Sequence, residues 1–341
     1  MRLMIVGANN VFNLESYYVK YLREFGIDLF HFFAQSIFYE YYRKSIINKI
    51  VFKSGFSGIY TKINNKFKEE VESFKPEIIW VFKGLEISPQ SLLWAKERGI
   101  KLVNYNADNP FDFAGKGSGN IYLTNSIGLY DLHITYYDWI KSKIEQDYGV
   151  QTVIIPFGFG ISEEMYERCC KEEEIMKTCF LGNADKYRAE LILELADGGV
   201  KIDLYGNSWE KFITHPNIEI FGPLYEDEFW LTLRRYRVQL NLMRPHNLNA
   251  HNMRSFEIPA VGGIELALDT DDHKKYFQVN KEIFIYTDLE DCKRQIKKLL
   301  SFTTIEAQKI REQARNRSVS SGYSYKSRTE EVLKTIKLLL P

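Results

Sequence analysis

Short apolar runs alternate with longer amphipathic segments along most of the chain. Apolar runs of about four to eight residues are typical of strands buried on both faces, as in a parallel sheet covered by helices. The pattern predicts strands at 3–6, 27–33, 77–82, 101–106, 131–135 and 153–155, and again at 178–181, 201–205, 218–221, 238–242, 264–268 and 284–286.

Segments with a helical period fill the spaces between these strands. They predict helices at 14–25, 91–98, a stretch ending at 148, 187–195, 226–237, 253–261, 288–300, 304–319 and 326–340. Alternation of strand and helix predicts an α/β fold, here two tandem doubly wound Rossmann-like domains. Ligands of such sheets lie at the carboxyl ends of the strands, so we expect the site in a cleft between the domains.

Shifts in composition suggest where the domains begin and end. Residues 1–160 are predicted to form an N-terminal Rossmann-like domain, and 178–325 a C-terminal one. The polar stretch 161–177, with three successive glutamates, is the predicted linker. Residues 326–341 form a final helix, for which a return to the N-terminal domain is one arrangement left open.

Composition excludes several classes of protein. Lys+Arg and Asp+Glu both number 45, so the net charge is zero, which argues against wholesale binding of nucleic acid. The chain has no apolar run long enough to span a bilayer, and its N-terminus is too short in apolar residues for a signal peptide, so we expect a cytoplasmic protein. The four cysteines lack metal-binding spacing. We expect reduced thiols, no metal and no cofactor.

Residues 36–68 depart from this neutral pattern. Seven basic residues stand against one acid, Glu40, with Tyr and Phe interleaved; the basic residues are Arg43, Lys44, Lys49, Lys53, Lys62, Lys66 and Lys68. One interpretation is a helical insertion whose aromatic residues pack on the N-terminal domain. The other is a peripheral contact with the inner surface of an anionic membrane.

The stretch 252–263 carries the clearest candidate chemistry. Arg254 and Glu257 are three apart and share a helical face, after the polar residue Asn252 and before Gly262 and Gly263. A helix N-terminus and an arginine fork suit a diphosphate, and a glutamate can accept hydrogen bonds from a ribose diol. A surface ion pair without a ligand is the alternative.

The sequence NMRSFEIPAVGGIELALDTDDHKKYF, followed by NKEIFIYTDLEDCKRQIKKLL, resembles the C-terminal domain of group 1 glycosyltransferases. It is most similar to the branch of spore-maturation CgeB-like proteins, which has Asn-x-Arg-x-Phe-Glu followed by a small residue and Gly. The resemblance covers about 182–325 and extends weakly to 104–110 and 131–158.

This resemblance implies the two-Rossmann (GT-B) fold, a nucleotide-sugar donor on the C-terminal domain and no required metal. It implies that Glu257 holds the donor ribose and that Asn252, Arg254, Gly262 and Gly263 line the donor pocket. Many retaining members carry a second Glu eight positions before the ribose-binding one. Here that position is Asn249, which puts the contacts to the donor sugar and a retaining outcome in doubt.

Three further groups of residues are candidates for the site. Gly182 and Asn183, with Lys186 and Arg188 on the next helix, resemble a basic diphosphate clamp, or the two cations are merely exposed. Trp209 either walls the base pocket or packs in the core. His246 and His251 flank the donor loop and are expected to form hydrogen bonds rather than to catalyse.

On the acceptor side, Asp108 follows a predicted strand. Its carboxylate is a candidate general base for an acceptor hydroxyl, or Asp108 forms a turn before Asn-Pro. Gly7 and Asn9, in the turn 7–10, are interpreted as acceptor-side backbone, because the turn does not match a phosphate-binding glycine loop.

Together these features predict a glycosyltransferase that moves a sugar from a nucleotide-diphosphate donor to a glycan, lipid-linked, protein or small-molecule acceptor. A sugar-nucleotide epimerase of the same fold and a non-catalytic nucleotide-sugar-binding protein are the alternatives.

Overall fold

The computed structural model describes residues 1–9, 13–113, 119–245 and 248–341. The chain forms two compact units. Met1–Pro156 with Tyr325–Pro341 makes the first unit, and Phe157–Ser324 makes the second. Among the described residues each unit contains one six-stranded sheet, and every strand pairing is parallel. The predicted α/β fold with two Rossmann-like domains is confirmed.

The first unit alternates strands and helices from its first residues. Its elements are β1 (Arg2–Val6), α1 (Leu14–Glu24), β2 (Asp28–Phe32), α2 (Ala34–Lys44), α3 (Ile46–Lys53), α4 (Ile59–Phe74), β3 (Ile78–Phe82), α5 (Pro89–Lys96), β4 (Lys101–Tyr105), α6 (Ile121–Ser126), β5 (Leu132–Thr135), α7 (Asp138–Tyr148) and β6 (Thr152–Ile154). The strand order is β2-β1-β3-β4-β5-β6.

The central strand β3 shows why the apolar pattern predicts this sheet. Its sequence IIWVF is buried at every position, because β1 and β4 flank it and both of its faces are covered. Chain direction across the sheet reverses between β1 and β3, since β2 lies on one side of β1 and all later strands lie on the other. This is the position at which doubly wound sheets bind ligands.

Residues 36–68 form the crossover from β2 to β3, built from α2, α3 and α4. Their aromatic rings pack on one another: Phe38 lies 4.9 Å from Phe52 and 5.7 Å from Tyr60 between ring centroids. For these aromatic residues the packing interpretation is the correct one. The segment is a helical connection of the sheet rather than an interruption of the fold.

The second unit repeats the alternation. Its elements are α8 (Glu163–Cys169), β7 (Ile175–Leu181), α9 (Lys186–Asp197), β8 (Ile202–Tyr205), β9 (Ile218–Phe221), α10 (Glu226–Arg235), β10 (Tyr236–Asn241), α11 (Arg254–Ala260), β11 (Glu265–Leu268), α12 (Asp271–Tyr276), β12 (Phe284–Tyr286), α13 (Leu289–Ser301) and α14 (Thr304–Ser320). The strand order is β12-β11-β10-β7-β8-β9.

The stretch 161–177 is structured, where the sequence predicted a linker. Ser162 caps α8 by accepting a hydrogen bond from the backbone N–H of Met165, and β7 already begins at Ile175. Glu174 pairs with Arg237 on β10 and Arg311 on α14. Burial raises the pKa of Glu174, but the bonds from both guanidiniums outweigh it and hold the pKa near 2. The polar residues that suggested a linker therefore serve as a helix cap, at Ser162, and as the centre of an ion-pair cluster, at Glu174.

The last helix, α15 (Tyr325–Lys337), belongs to the first unit. Its Tyr325 ring stacks on Tyr17 of α1 with centroids 4.4 Å apart, and it also meets Tyr18 edge-on. Tyr325 is fully buried, so the C-terminal helix completes the covering of the first sheet. Among the described residues, no helix has the length and apolar content to cross a membrane.

Candidate functional site

The sheet of the second unit reverses direction between β7 and β10. These strands are neighbours, and the chain continues from β7 toward β8 on one side and from β10 toward β11 on the other. Loops that leave the carboxyl ends of such a pair diverge, and the gap between them receives the ligand. Arg254, the first residue of α11, donates from Nε to the carbonyl oxygen of Leu181 at 3.3 Å. The predicted motif thus sits at this edge.

Arg254 and Glu257 form the expected pair on one face of α11. Nη1 of Arg254 donates to Oε2 of Glu257, and the guanidinium lies over the ring of Phe229, 4.4 Å from its centroid. The side chain of Glu257 is 3% exposed, against 27% for Arg254. Burial raises the pKa of Glu257, and the charge of Arg254 opposes that rise. The arginine therefore covers the carboxylate and is the more accessible of the two.

The loops after β7 and β8 touch each other. Gly206 has φ +147°, and a Cβ built on it would lie 2.1 Å from the carbonyl oxygen of Gly182. Oδ1 of Asn183 accepts hydrogen bonds from the backbone N–H and the side chain of Asn207, each 3.0 Å long. Only glycine permits this approach, and the two loops form one rigid rim at the strand ends.

Arg188 stabilises that rim from within, where the sequence suggested an exposed clamp. Its side chain is buried; Nε donates to Asp185 at 2.6 Å and Nη2 donates to the carbonyl oxygen of Asn183. Lys186 instead points into solvent, with an 83% exposed side chain that faces Glu190. The clamp prediction thus holds for the loop's shape, but neither cation is placed as a free phosphate ligand.

Arg244, on the loop after β10, was not singled out from the sequence. Its Nε lies 3.8 Å from Asp185 Oδ2, and nearly half of its side chain is exposed. Burial lowers the pKa of the Arg188 guanidinium, Asp185 opposes this, and the nearby charges of Arg244 and Arg254 lower it further. Three guanidiniums therefore act on one another at the ends of β7 and β10, a positive region suited to an anion.

Sequence signals for these missed residues exist. Asp185 stands two residues before the predicted helix 187–195, and its side chain accepts from the backbone N–H of Arg188, which is the spacing of an N-cap. Arg244 follows a predicted strand directly, where ligand-binding residues of doubly wound sheets collect.

Asn252 faces the protein rather than an open pocket. Its Oδ1 accepts from the N–H of Ser255 at 3.2 Å, and its Nδ2 donates to Asn241 Oδ1 at 2.7 Å. The N–H groups of Phe256 and Glu257 bond the carbonyl oxygen of Met253. The side chain of Asn252 thus caps the N–H of Ser255, and three of the N–H groups at the start of α11 are bonded within the chain.

A buried polar network lies beneath this cap. Asn241 Nδ2 donates to Ser255 Oγ and to Glu265 Oε1, at 3.0 and 2.7 Å. Ser255 Oγ also lies 2.9 Å from Nε2 of His273, whose Nδ1 lies 2.9 Å from the carbonyl oxygen of Leu268. A carbonyl oxygen only accepts, so Nδ1 carries the hydrogen and Nε2 accepts from the Ser255 hydroxyl.

Burial dominates the ionisation of this network. It lowers the pKa of His273 to about 4, and it raises the pKa of Glu265 to about 8, against an opposing hydrogen bond from Asn241. Both side chains are therefore neutral near pH 7. A neutral His273 is the state that the bond from Ser255 requires, so ionisation and geometry agree.

Gly262 and Gly263 end α11 and do not line a pocket at its start. Gly262 has φ +70°, its N–H bonds Pro259, and its carbonyl oxygen accepts from Arg311 at 3.0 Å. A seven-residue helix is about 10 Å long, so this turn lies at the far end from Arg254. Both glycines are buried, and a Cβ on Gly263 would lie 2.9 Å from the carbonyl oxygen of Ile258. These contacts show that both glycines are needed for packing, and their assignment to the donor pocket stays a prediction.

Trp209 also proves to be a packing residue. Its side chain is fully buried and meets Phe180 edge-on, with ring centroids 5.7 Å apart. Its indole N–H donates to the carbonyl oxygen of Gly182 at 2.8 Å. A ring with no exposed surface cannot stack on a base, so the pocket-wall prediction is wrong, although Trp209 supports the loop that carries Asn183.

In the first unit, Asp108 lies after β4, at the carboxyl edge of that sheet. Oδ2 of Asp108 pairs with Nζ of Lys83 at 2.8 Å, and both side chains are partly exposed. The N–H of Asp108 bonds Asn106 Oδ1, so the turn interpretation is also met. Lys83 has φ +62°, a left-handed conformation that lysine seldom adopts. Turn and accessible carboxylate are compatible here.

Gly7 and Asn9 follow β1 at the reversal point of the same sheet. The buried carboxylate of Glu15 accepts from the N–H of Ala8 at 2.7 Å, and a Cβ on Gly7 would lie 2.8 Å from that oxygen. The N–H of Asn9 bonds Ser36 Oγ at 3.0 Å. The backbone is therefore held by side chains, and position 10 of the predicted turn lies outside the described residues.

Of the two histidines beside the predicted donor loop, His251 lies within the described residues. His251 is buried, with Nδ1 2.7 Å from Asp272 Oδ2, so it forms hydrogen bonds as expected. His246 lies outside the described residues. Within the described parts of the chain, no group of three or more His, Cys, Asp or Glu side chains has a metal-binding arrangement. Asn249 lies in an exposed turn.

Comparisons with known proteins agree with this fold. Residues 188–334 match the family described as Glycosyl transferase-like. No curated protein matches the sequence. Sucrose-phosphate synthase from Thermosynechococcus elongatus is a solved structure with a similar fold, at 10% identity over 99% of both chains and a TM-score of 0.68.

Two further solved structures are similar over the whole chain. A glycosyltransferase from Rickettsia africae covers 99% of this chain with 98% of its own, at 15% identity and a TM-score of 0.64. Anabaena Alr3699/HepE in complex with UDP and glucose covers 99% of both chains, at 10% identity and a TM-score of 0.65. The predicted two-Rossmann fold is therefore confirmed, and residues 188–334 resemble the glycosyltransferase family, while the assignment to the CgeB-like branch stays a prediction.

Proposed function

We propose that the protein transfers a sugar from a nucleotide-diphosphate donor, without a required metal, and that the donor binds at the carboxyl ends of β7 and β10. The observation that carries this proposal is that two partly exposed guanidiniums, those of Arg244 and Arg254, lie at that edge beside the loop that Arg188 holds. Fixed guanidiniums neutralise a diphosphate and its leaving-group charge, which is the task of a metal ion in other transferases.

The partly exposed Arg254 is the proposed diphosphate ligand, with Arg244 beside it. We propose that the donor reaches the buried carboxylate of Glu257 from beside Arg254, and that this carboxylate binds the ribose. Arg188 and Asp185 hold the glycine loop in shape and do not contact the donor. Anabaena Alr3699/HepE has been solved with UDP and glucose, and TarM with UDP and α-GlcNAc-glycerol, which supports a nucleotide sugar as donor and a glycan acceptor.

On the acceptor side we propose that Asp108 accepts the proton of the attacking hydroxyl. Its pairing with Lys83 holds the carboxylate in one position, and both groups are partly exposed. A glycan, a lipid-linked intermediate, a protein and a small molecule are all acceptors that present such a hydroxyl.

The decisive experiment is a thermal-shift screen with UDP, GDP, ADP and TDP, each with and without EDTA, followed by product analysis of the matching nucleotide sugars. A ligand of the native state raises the melting temperature by mass action. We expect one nucleotide to stabilise the protein equally with and without EDTA, and its sugar conjugate to release that nucleotide. Stabilisation that EDTA abolishes would refute the metal-free proposal.

A non-catalytic nucleotide-sugar-binding protein is the second candidate. The exposed turn at Asn249, where many retaining members have a glutamate, favours it. Stabilisation by a nucleotide sugar without release of the diphosphate, in the presence of an acceptor panel, would favour this candidate. Isomerised sugar would identify the epimerase instead.

A further inference from the structure

The helix α3 exposes an apolar surface on the first unit. Ile46, Ile47 and Ile50 are 74%, 70% and 61% exposed. Phe56, three residues beyond the end of the helix, is 87% exposed. Isolated exposed apolar residues are ordinary, but three isoleucines on one two-turn helix are a feature that soluble surfaces seldom retain without use.

The opposite face of α3 contacts α2, although no residue of α3 is fully buried. Asn48 Nδ2 donates to the carbonyl oxygen of Tyr41 on α2 at 2.7 Å. Phe52, one turn after Asn48, meets Phe38 and Tyr42 edge-on at 4.9 and 5.7 Å. At 3.6 residues per turn, Ile46 and Ile50 then lie on the side away from α2.

Basic side chains flank this surface. Arg43 and Lys44 end α2, Lys49 lies within α3 and Lys53 ends it, and residues 41–53 contain no acid. Arg43, Lys44 and Lys53 are exposed. Lysine and arginine can bury their methylene stems beside an apolar layer while their charges reach phosphate groups. Apolar side chains between cations are the arrangement of helices that lie in the interface of an anionic bilayer.

We propose that Ile46, Ile47 and Ile50, flanked by these four basic residues, form a surface that seats the first unit in the headgroup layer of an anionic membrane. The isoleucines enter the boundary between headgroups and acyl chains, and the cations bind lipid phosphate and carboxylate groups. The protein would act as a peripheral protein at the inner membrane surface. This membrane surface stands independently of the donor site, because it lies in the other unit.

The test is co-sedimentation of the full chain with two kinds of vesicle. One is phosphatidylcholine alone, and the other contains about one-third phosphatidylserine, which carries the negative surface potential of a cytoplasmic leaflet. We expect binding to the anionic vesicles at low salt, loss of that binding as salt shortens the Debye length, and little binding to neutral vesicles.

Two triple variants separate the apolar and the charged contributions. Ile46→Ser with Ile47→Ser and Ile50→Ser should abolish sedimentation at any salt concentration. Lys44→Gln with Lys49→Gln and Lys53→Gln should weaken binding by about fivefold per charge removed, the factor that corresponds to about 1 kcal/mol for each basic residue near anionic lipid.

Matched controls lie in the second unit. Ile305→Ser removes an isoleucine that is 83% exposed, and Lys297→Gln with Lys309→Gln removes two exposed lysines. Both controls should sediment as the parent does. All variants should show the same thermal shift as the parent with each nucleotide, including no shift where the parent shows none. A failed donor proposal is thereby distinguished from a failed membrane proposal.

Several outcomes would overturn the proposal. Absence of sedimentation with anionic vesicles at low salt would do so, as would equal sedimentation of the parent and both triple variants. A concentration-dependent dimer that the isoleucine variant abolishes, with no vesicle binding by the parent, would assign the surface to a second copy of the chain.

Discussion

Arg254 and Glu257 are paired across one turn of α11, and the carboxylate of this pair is almost fully buried. The free energy of burying the Glu257 charge is therefore offset by a side chain that we also propose as a donor ligand. The two roles are coupled, because a diphosphate that binds Arg254 alters the partner of Glu257. This coupling makes the pair accessible to measurement.

A double-mutant cycle with Arg254→Ala, Glu257→Gln and the double variant tests this coupling. Arg254→Ala leaves a buried carboxylate unpaired, so we expect it to cost about 3 kcal/mol of stability, most of which Glu257→Gln should restore. Nucleotide affinity should fall about tenfold or more with Arg254→Ala, and the size of this fall should differ in the Glu257→Gln background, because the two roles are coupled. Chemical denaturation and calorimetric titration measure the two effects. Equal nucleotide affinity in parent and Arg254→Ala would remove Arg254 from the donor site.

Gly206→Ala tests the contact between the two loops. A Cβ would lie 2.1 Å from the carbonyl oxygen of Gly182, at a φ that strains any other residue, so we expect a loss of about 1–3 kcal/mol in stability together with weaker nucleotide binding. Gly222→Ala is the matched control, since a Cβ there has nothing within 4 Å and should be silent. Full stability of the Gly206 variant would contradict the described approach of the loops.

Glu174→Gln tests the ion-pair hub in 161–177. The carboxylate pairs with Arg237 and Arg311, both almost fully buried, so its loss should cost about 3 kcal/mol. Because the folded pKa is near 2 and the ordinary value is 4.5, its stabilising contribution is complete above pH 4.5 and is lost as the pH falls toward 2. The difference in free energy of unfolding between the parent and Glu174→Gln should therefore shrink as the pH falls from 4.5 toward 2. Glu219→Gln, at an exposed pair with Lys177, is the control and should change stability little.

His273→Asn tests the network under α11. The folded pKa of His273 is near 4 because of burial, and the ordinary value is 6.5, so the unfolded chain binds the extra proton between these values. The stabilisation that the neutral, buried His273 gives the folded state is therefore complete above pH 6.5 and declines as the pH falls toward 4. Relative to the variant, the free energy of unfolding of the parent should fall by about 2 kcal/mol between pH 6.5 and pH 5.

The matched variant is His133→Asn in the first unit, where burial also lowers the pKa to about 4. Its stability difference should depend on pH in the same way. Only His273→Asn should also weaken nucleotide binding, because Ser255 and Asn252 lose their positioning. Identical nucleotide affinities in the two variants would mean that the network is purely structural.

Asp108→Asn tests the acceptor side. If Asp108 is the general base, the rate of transfer should fall about a hundredfold or more while nucleotide affinity stays unchanged. Asp112→Asn, four residues on and exposed, is the control. A fully active Asp108 variant would leave the residue as a turn former that pairs with Lys83.

The sequence by itself determined the order of elements and the place of the donor motif. Apolar runs such as 78–82 identify strands because a parallel sheet covered on both faces excludes polar side chains, and the helical period fills the spaces between them. The spacing of Arg254 and Glu257 likewise fixes a shared helical face, whatever the surroundings.

Only the tertiary structure decided which of the singled-out residues are accessible. Trp209, Arg188 and the Gly262–Gly263 turn have residue types that suit a ligand, yet their contacts are made with Phe180 on β7, Asp185 and Arg311 respectively. The exposure of Ile46, Ile47 and Ile50 follows only from the tertiary structure, because the other face of their helix lies against α2. The spacing of residues along the sequence fixes which of them share a helical face. What covers that face is determined by segments that are distant in the sequence.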